Sequence, residues 1–172
     1  VTAIIWILVG VLAVILIVGV DNSVNLTDGI DGLCASVTAV VGAFFALFGF
    51  TVAGLAFGDA VICFAGALCG GMIGFLVYNW NPARIFMGDT GSLYLGGVIA
   101  TTSIFSSNVL FLPLIGIMYV VSGISVIVQV CVFKLTNGKR VFLMAPLHHH
   151  FEYKGHSESK IVFTYKLITL LV

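Results

Sequence analysis

An all-α, polytopic integral membrane helix bundle is the fold class that this sequence predicts, and three observations carry it. Charged residues make up 8% of the 172 positions, against about 25% in a soluble domain, so the chain lacks the polar surface to cover a globule in water. Mean hydropathy is +1.21, and the apolar residues fall in runs of membrane length. The ionisable residues gather in the connectors between those runs. Net charge is zero, with seven basic and seven acidic residues, which gives a nucleic-acid partner no electrostatic support.

Five spans are expected, at 3–20, 33–57, 60–78, 92–106 and 108–133, with a sixth starting near 161. Residues 1–172 therefore read as one membrane domain of five to six transmembrane helices, with no soluble domain attached. The first run is too long for a signal-peptide core and lacks its small-residue cleavage site. The second and third are apolar windows of about 20 residues. The fourth is short and Gly-rich, which suits close packing on neighbours. In the fifth, Pro113 with Gly116 and Ser122 with Gly123 are candidate breaks, because backbone groups freed there need other partners. The last run stops at about half a membrane span and the chain opens on Val1 rather than Met, so both ends read as cuts in a longer protein. Cys34, Cys63, Cys69 and Cys131 are scattered singly and are expected to be buried free thiols.

Connectors 21–32, 79–91 and 134–160 must share one side of the membrane. They hold Arg84, Lys134, Lys139, Arg140, Lys154 and Lys160, six of the seven basic residues, and the positive-inside rule assigns them to the cytoplasm. Asp59 is the only charge in the opposite connectors. Ionisable groups at mid-span would favour transport; their concentration at one face favours chemistry there.

The first polar motif is Asp21 to Leu33, DNSVNLTDGIDGL. Asn22, Asn25, Asp28 and Asp31 recur every third residue, and on an α-helix each such step turns the side chain by about −60°. Four of them sweep half the circumference, enough to surround a polar ligand. Gly29 and Gly32 directly follow the aspartates and permit close approach. Helix-end caps with solvated acids are the plainer reading, outweighed by four polar side chains in register. The second motif, YNWNPARIFMGDTGSLYLGG at 78–97, predicts a turn at Asn81-Pro82 and a helix from Leu93 with Thr90 or Ser92 as its cap. Free N–H groups and the helix dipole there suit a phosphate, and Asp89 beside them suits a Mg²⁺ bridging phosphate oxygens; capping alone is the plainer role for Asp89. Phe86 offers a face for a planar base, whereas Tyr78 and Trp80 read as an interfacial aromatic belt. The third motif, APLHHHFEYKG at 145–155, puts His148, His149 and His150 about 100° apart on a helix, too divergent to ligate one ion together. Near neutral pH they can donate to phosphate or exchange protons; a plain surface triplet is the rival reading. All three motifs fall on one face, and together they supply the parts of phosphoryl transfer, which is mostly positioning and charge stabilisation.

In order and spacing, NSVNLTDGIDGL, NPARIFMGDTGSL and MAPLHHHFEYKG closely resemble the polyprenyl-phosphate N-acetylhexosamine-1-phosphate transferases. The His-His-His-Phe-Glu run resembles their phospho-N-acetylmuramoyl-pentapeptide transferase branch rather than the N-acetylglucosamine-transferring relatives. The resemblance implies a Mg²⁺-dependent reaction at the cytoplasmic face of the bacterial inner membrane. Phospho-MurNAc-pentapeptide would pass from UDP-MurNAc-pentapeptide to undecaprenyl phosphate, a membrane lipid, giving lipid I and UMP in peptidoglycan synthesis and hence in cell-wall biogenesis, cell shape and division. By position, Asp89 matches the metal-binding aspartate, with Asn25 near the metal; Asp89, Asp28 and His148 are the implied catalytic residues. Asn22, Asn25, Asp31, Asn79, Phe86, Ser92, Gln129, His149 and His150 are implied to bind substrate, Asn79 and Phe86 at the uracil. A homodimer is compatible with it. The family has ten transmembrane helices, of which this chain resembles the fifth through the start of the tenth; an earlier loop with adjacent aspartates and an upstream lysine are absent, and Ser122 stands where many members carry Glu. The chain alone is therefore expected to be inactive. Another UDP-linked amino-sugar transferase, an inactive lipid- or nucleotide-binding fragment and a transporter-like bundle stay open as alternatives.

Overall fold

The computed structural model describes residues 2–51 and 58–172, so the predicted end of the second span, 52–57, lies outside the described residues. The elements are α1 (Thr2–Asn25), α2 (Leu33–Thr51), α3 (Gly58–Asn79), α4 (Gly88–Phe105), α5 (Leu112–Ile115), α6 (Ile117–Leu135), α7 (Leu147–Tyr153) and α8 (Glu158–Leu171). No strand occurs among the described residues. Four of these helices, α1, α2, α3 and α6, are long and apolar enough to cross a membrane. The other two expected runs, 92–106 and the one starting near 161, form the helices α4 and α8. α4 has 18 residues and opens on the polar run Gly88-Asp89-Thr90-Gly91-Ser92, while α8 has 14 residues and carries Glu158, Lys160 and Lys166.

Three boundaries differ from the sequence reading. α1 continues five residues past the predicted 20, because Asp21 to Asn25 keep helical hydrogen bonding with no proline or glycine to stop them. α4 starts at Gly88 rather than Leu93, with Met87 at the N-cap and no side-chain cap bond; Thr90 and Ser92 lie inside the helix. The fifth run breaks at Gly116, after Pro113 in the first turn of α5, whereas α6 passes through Ser122-Gly123 uninterrupted.

α2 is the central helix, packed on α3 and α8 and touching α4, while α1 packs on α4 and α6. Leu33, Cys34, Val37, Val41 and Phe45 of α2 are fully buried and meet Val24, Ile99, Val162 and Tyr165 in one core. Inside this apolar interior the Tyr119 hydroxyl lies 2.6 Å from Thr38 Oγ1, tying α6 to α2 in the way buried polar groups join membrane helices. α1 presents Ile4 to Val18 outward, as a helix facing lipid does. Of the cysteines, all free, Cys34 is buried and Cys69 half-buried, but Cys63 and Cys131 are exposed; they sit on outward helix faces, which corrects the expectation that all four are buried.

One close contact sets the register that matters for the site. A Cβ on Gly96 of α4 would sit 2.5 Å from Asp21 Cα of α1, so the absence of a side chain lets the two backbones touch. The helices run antiparallel. One turn on from Asp21 is Asn25, and one turn back from Gly96 is Ser92. The Asp21–Gly96 contact therefore delivers Asn25 to the first turn of α4.

Candidate functional site

The segment after α1 is closed by short backbone bonds, Thr27 N–H to Val24 O at 3.0 Å and Asp28 N–H to Asn25 O at 3.1 Å, and by the Thr27 hydroxyl donating to Ser23 O at 2.8 Å. Asn22 and Asn25 are thus helical, while Asp28 and Asp31 sit on turns, so the predicted helical sweep of four polar groups around one ligand is corrected: they diverge. Asn22 is exposed, donates to Val18 O at 2.8 Å, and lines an apolar groove of about 480 Å³ between α1 and α5–α6. Asp31 accepts from Ala83 N–H at 2.9 Å, and Asn81 Nδ2 reaches Glu158 Oε2 at 3.0 Å beside it. Asp31 therefore clips the 80–83 turn to the start of α8.

Asn25 and Asp28 remain with Asp89. Asn25 Nδ2 donates to Asp89 Oδ1 at 3.1 Å and to Ser92 Oγ at 2.9 Å, and Ser92, fully buried, in turn donates to Gly88 O at 3.2 Å. One amide thus fixes a carboxylate in the first turn of α4, where the helix dipole favours negative charge. Asp28 lies close enough to feel the Asp89 charge. Burial, and then the charge of Asp89, push its carboxyl up to about 6. The charge of Asp89 makes Asp28 harder to ionise, and a cation beside the two would relieve that cost.

The histidines separate as helical geometry requires. His148 is fully buried, and neither ring nitrogen has a partner. Burial, then His149, pull its imidazole down to about 3, so it is neutral. Both rings rest on Gly29: a Cβ there would collide with His148 Nε2 and lie 2.8 Å from His149 Nε2. Only glycine at 29 lets the imidazoles reach the turn that carries Asp28. His149 Nδ1 is 2.8 Å from Glu152 Oε2, which orients its ring. His150 turns away and accepts from Leu143 N–H at 3.1 Å, holding the 136–146 loop.

The other sequence candidates occupy supporting positions. Asn79 is buried, accepting from Gly32 N–H at 3.1 Å and donating to Ile85 O at 2.9 Å; it joins the two polar connectors. Phe86 is 73% exposed, a free ring at the tip of the second connector. Gln129 accepts from Val141 and Phe142 N–H and donates to Phe142 O, so its amide is spent on the third connector. Glu158, Asn81 and Glu152 were missed from sequence: the pairings of Glu158 with Asn81 and Asp31 span 77 and 127 positions, and no spacing rule marks Glu158 or Asn81. Glu152 alone had a signal, three residues after His149 in a short helix.

Among the described residues no group of three or more His, Cys, Asp or Glu could hold a metal. Asp28 and Asp89 are the two carboxylates there that could hold a divalent cation if a substrate supplied further oxygens.

Apolar helices of spanning length, closed at one end by paired carboxylates, an ordering amide and two packed imidazoles, define a polytopic membrane protein with a polar site at the end of its bundle. The chain belongs to glycosyl transferase family 4, which matches residues 1–107. It is similar to the phospho-N-acetylmuramoyl-pentapeptide-transferase of Carboxydothermus hydrogenoformans, 53% identical over 160 residues that cover 92% of this chain and 47% of that protein. Similar likenesses extend to the proteins of that name from Caldanaerobacter subterraneus subsp. tengcongensis, 52% identical over 92% of the chain and 49% of the relative, and Clostridium botulinum strain Eklund 17B, 53% identical over 94% and 48%. The chain spans about half the length of these curated relatives.

Proposed function

We propose that the protein containing this chain transfers phospho-MurNAc-pentapeptide from UDP to undecaprenyl phosphate at the cytoplasmic face of a bacterial membrane, with Mg²⁺, forming lipid I and UMP. The observation that carries this reading is the Asn25 amide holding Asp89 against Ser92 while Asp28 faces the same carboxylate. Such a pair suits a magnesium pyrophosphate. Strong likeness to relatives named for the reaction supports it.

In the reaction, an acceptor phosphate oxygen forms a P–O bond at the sugar-linked phosphorus, the pyrophosphate P–O bond breaks, and UMP leaves with its electron pair. Asp28 and Asp89 would hold the Mg²⁺, whose contribution is to neutralise charge on the pyrophosphate. The N–H groups of the first turn of α4, which carries Asp89, would add hydrogen-bond donors and the helix dipole for the same phosphates. Phe86, exposed three residues before Asp89, stacks on the uracil. Neutral His148, fully buried against Gly29, supports the turn that carries Asp28 without burying a charge. The chain's own polar groups thus position and stabilise, which is where phosphoryl transfer gains its rate.

The test is UMP release by the full-length protein in membranes. Asp89→Asn keeps the Asn25 contact geometry but halves the paired charge, and is expected to lower turnover by roughly 10²–10³-fold. Turnover within a factor of about two of wild type would overturn the role.

A further inference from the structure

Buried polar atoms without hydrogen-bond partners gather where α6, α7 and α8 meet. Among the described residues six side-chain atoms are of this kind, and four of them belong to Ser122 on α6, His148 on α7 and Tyr165 on α8. These three helices pack on one another. Ser122 and His148 are fully buried, and Tyr165 is 2% exposed. The Tyr165 ring meets the His148 imidazole edge-on, with centroids 6.3 Å apart. Its hydroxyl has the Ser122 hydroxyl as a neighbour, outside hydrogen-bonding geometry. One turn along α6 from Ser122, Ser125 Oγ accepts from Leu147 N–H at 3.1 Å, which sets His148 beside this part of α6. The orientation of the imidazole is also fixed. A Cβ on Gly29 would meet its Nε2 and Cδ2 atoms, so that edge faces the Asp28 turn and Nδ1, across the ring, is turned away from it.

We propose that Tyr165 and Ser122 are positioning residues for His148. Their hydroxyls join His148 Nδ1 in one hydrogen-bonded set, completed by a single enclosed water, and hold the imidazole against Gly29 and so the Asp28 turn in place. Polar groups in an apolar interior are destabilising unless they share hydrogen bonds, and a water with three polar partners is the ordinary way to join groups that do not touch. An apolar ring at 165 would fill the same space, so the hydroxyl is the part that carries the role. α8 is well placed for it. Glu158 and Tyr165, seven residues apart, share one face of that helix. Glu158 ties its start to Asp31 and Asn81, and two turns on Tyr165 reaches His148, so one helix holds all three connectors. The kinetic consequence rests on the transfer reaction proposed above; the hydrogen bonding of the ring does not.

The experiment uses the full-length protein in lipid nanodiscs, labelled with nitrogen-15 in its histidine rings, with the His148 resonances identified by their loss in His148→Gln. Tyr165→Phe and Ser122→Ala each remove one hydroxyl and leave the packing in place. Both are expected to move the His148 Nδ1 resonance while those of His149 and His150 stay. In UMP release both are expected to lower kcat roughly tenfold, the scale of a small misplacement behind a reacting group, with the KM for UDP-MurNAc-pentapeptide within about twofold of wild type. Tyr119→Phe is the control: it deletes a buried hydroxyl that meets Thr38 instead, and is expected to lower thermal stability without moving the His148 resonance. A His148 resonance unmoved in both variants would overturn the hydrogen-bonded set. A kcat within a factor of about two of wild type, or a loss equal to that of Tyr119→Phe, would overturn the positioning role. If wild type itself released no UMP, the transfer reaction would fall, and the resonance alone would decide whether the hydroxyls hold the ring.

Discussion

Single atoms decide the candidate site, and Gly29 is the sharpest case. His148 Nε2 occupies the space a Cβ would need, with His149 Nε2 beside it, so Gly29→Ala must push the imidazoles off the Asp28 turn. A loss of about 1–3 kcal/mol in thermal stability is expected, with turnover falling further than stability alone explains; a variant matching wild type in both would show that the contact has no consequence. Asn25 tests the other side. Its amide orders Asp89 and Ser92 together, and Asn25→Ala is expected to raise the Mg²⁺ concentration for half-maximal turnover by about 10–100-fold, the usual effect of removing a group that orients a metal ligand. His148 gives a pH signature. Its folded pKa, near 3, lies below the ordinary value of 6.5, so the unfolded chain takes up the proton first as pH falls. Stability from the buried neutral ring is complete above about 6.5 and drains between there and 3. Thermal unfolding of wild type against His148→Phe should show that slope in wild type and a shallower one in the variant.

At the scale of elements, the site exists because α1 and α4 touch through Gly96. The contact at Asp21 fixes the antiparallel register and with it the meeting of Asn25 and Ser92 one turn away. Gly96→Leu is expected to separate the helices, weaken Mg²⁺ dependence and lower stability by roughly 1–3 kcal/mol, measured by thermal unfolding alongside UMP release. Much of the helical plan was legible, because membrane spans announce themselves by length and apolarity: α1, α3 and the start of α2 follow the runs at 3–20, 60–78 and 33–57 within about five residues, and α6 takes the later part of the run at 108–133. The break at Gly116 was legible too, from Pro113 and the glycine together. The start of α4 was not, because Gly88 to Ser92 read as loop chemistry and only tertiary packing against α1 makes them helical. The meeting of Asn25 with Asp89 carried a signal in residue type. The diversion of Asp31, Gln129 and His150 into backbone ties carried none, since their partners are main-chain groups that no sequence pattern advertises.

Across the whole molecule, polarity is arranged at one end of an apolar bundle, and three connectors converge there. The first brings Asp28 and Gly29, the second Asp89 and Phe86, the third His148 and His149. Six of the seven basic residues share those connectors, so positive charge gathers at the same end of the bundle as the candidate site. The measurement that bears most directly on this arrangement is Mg²⁺ binding by the full-length protein in the presence of UDP, followed calorimetrically in wild type, Asp28→Asn and Asp89→Asn. One saturable Mg²⁺ site in wild type, lost in both variants, is the predicted result. Retention of that site in both variants would contradict a shared cation between the first and second connectors.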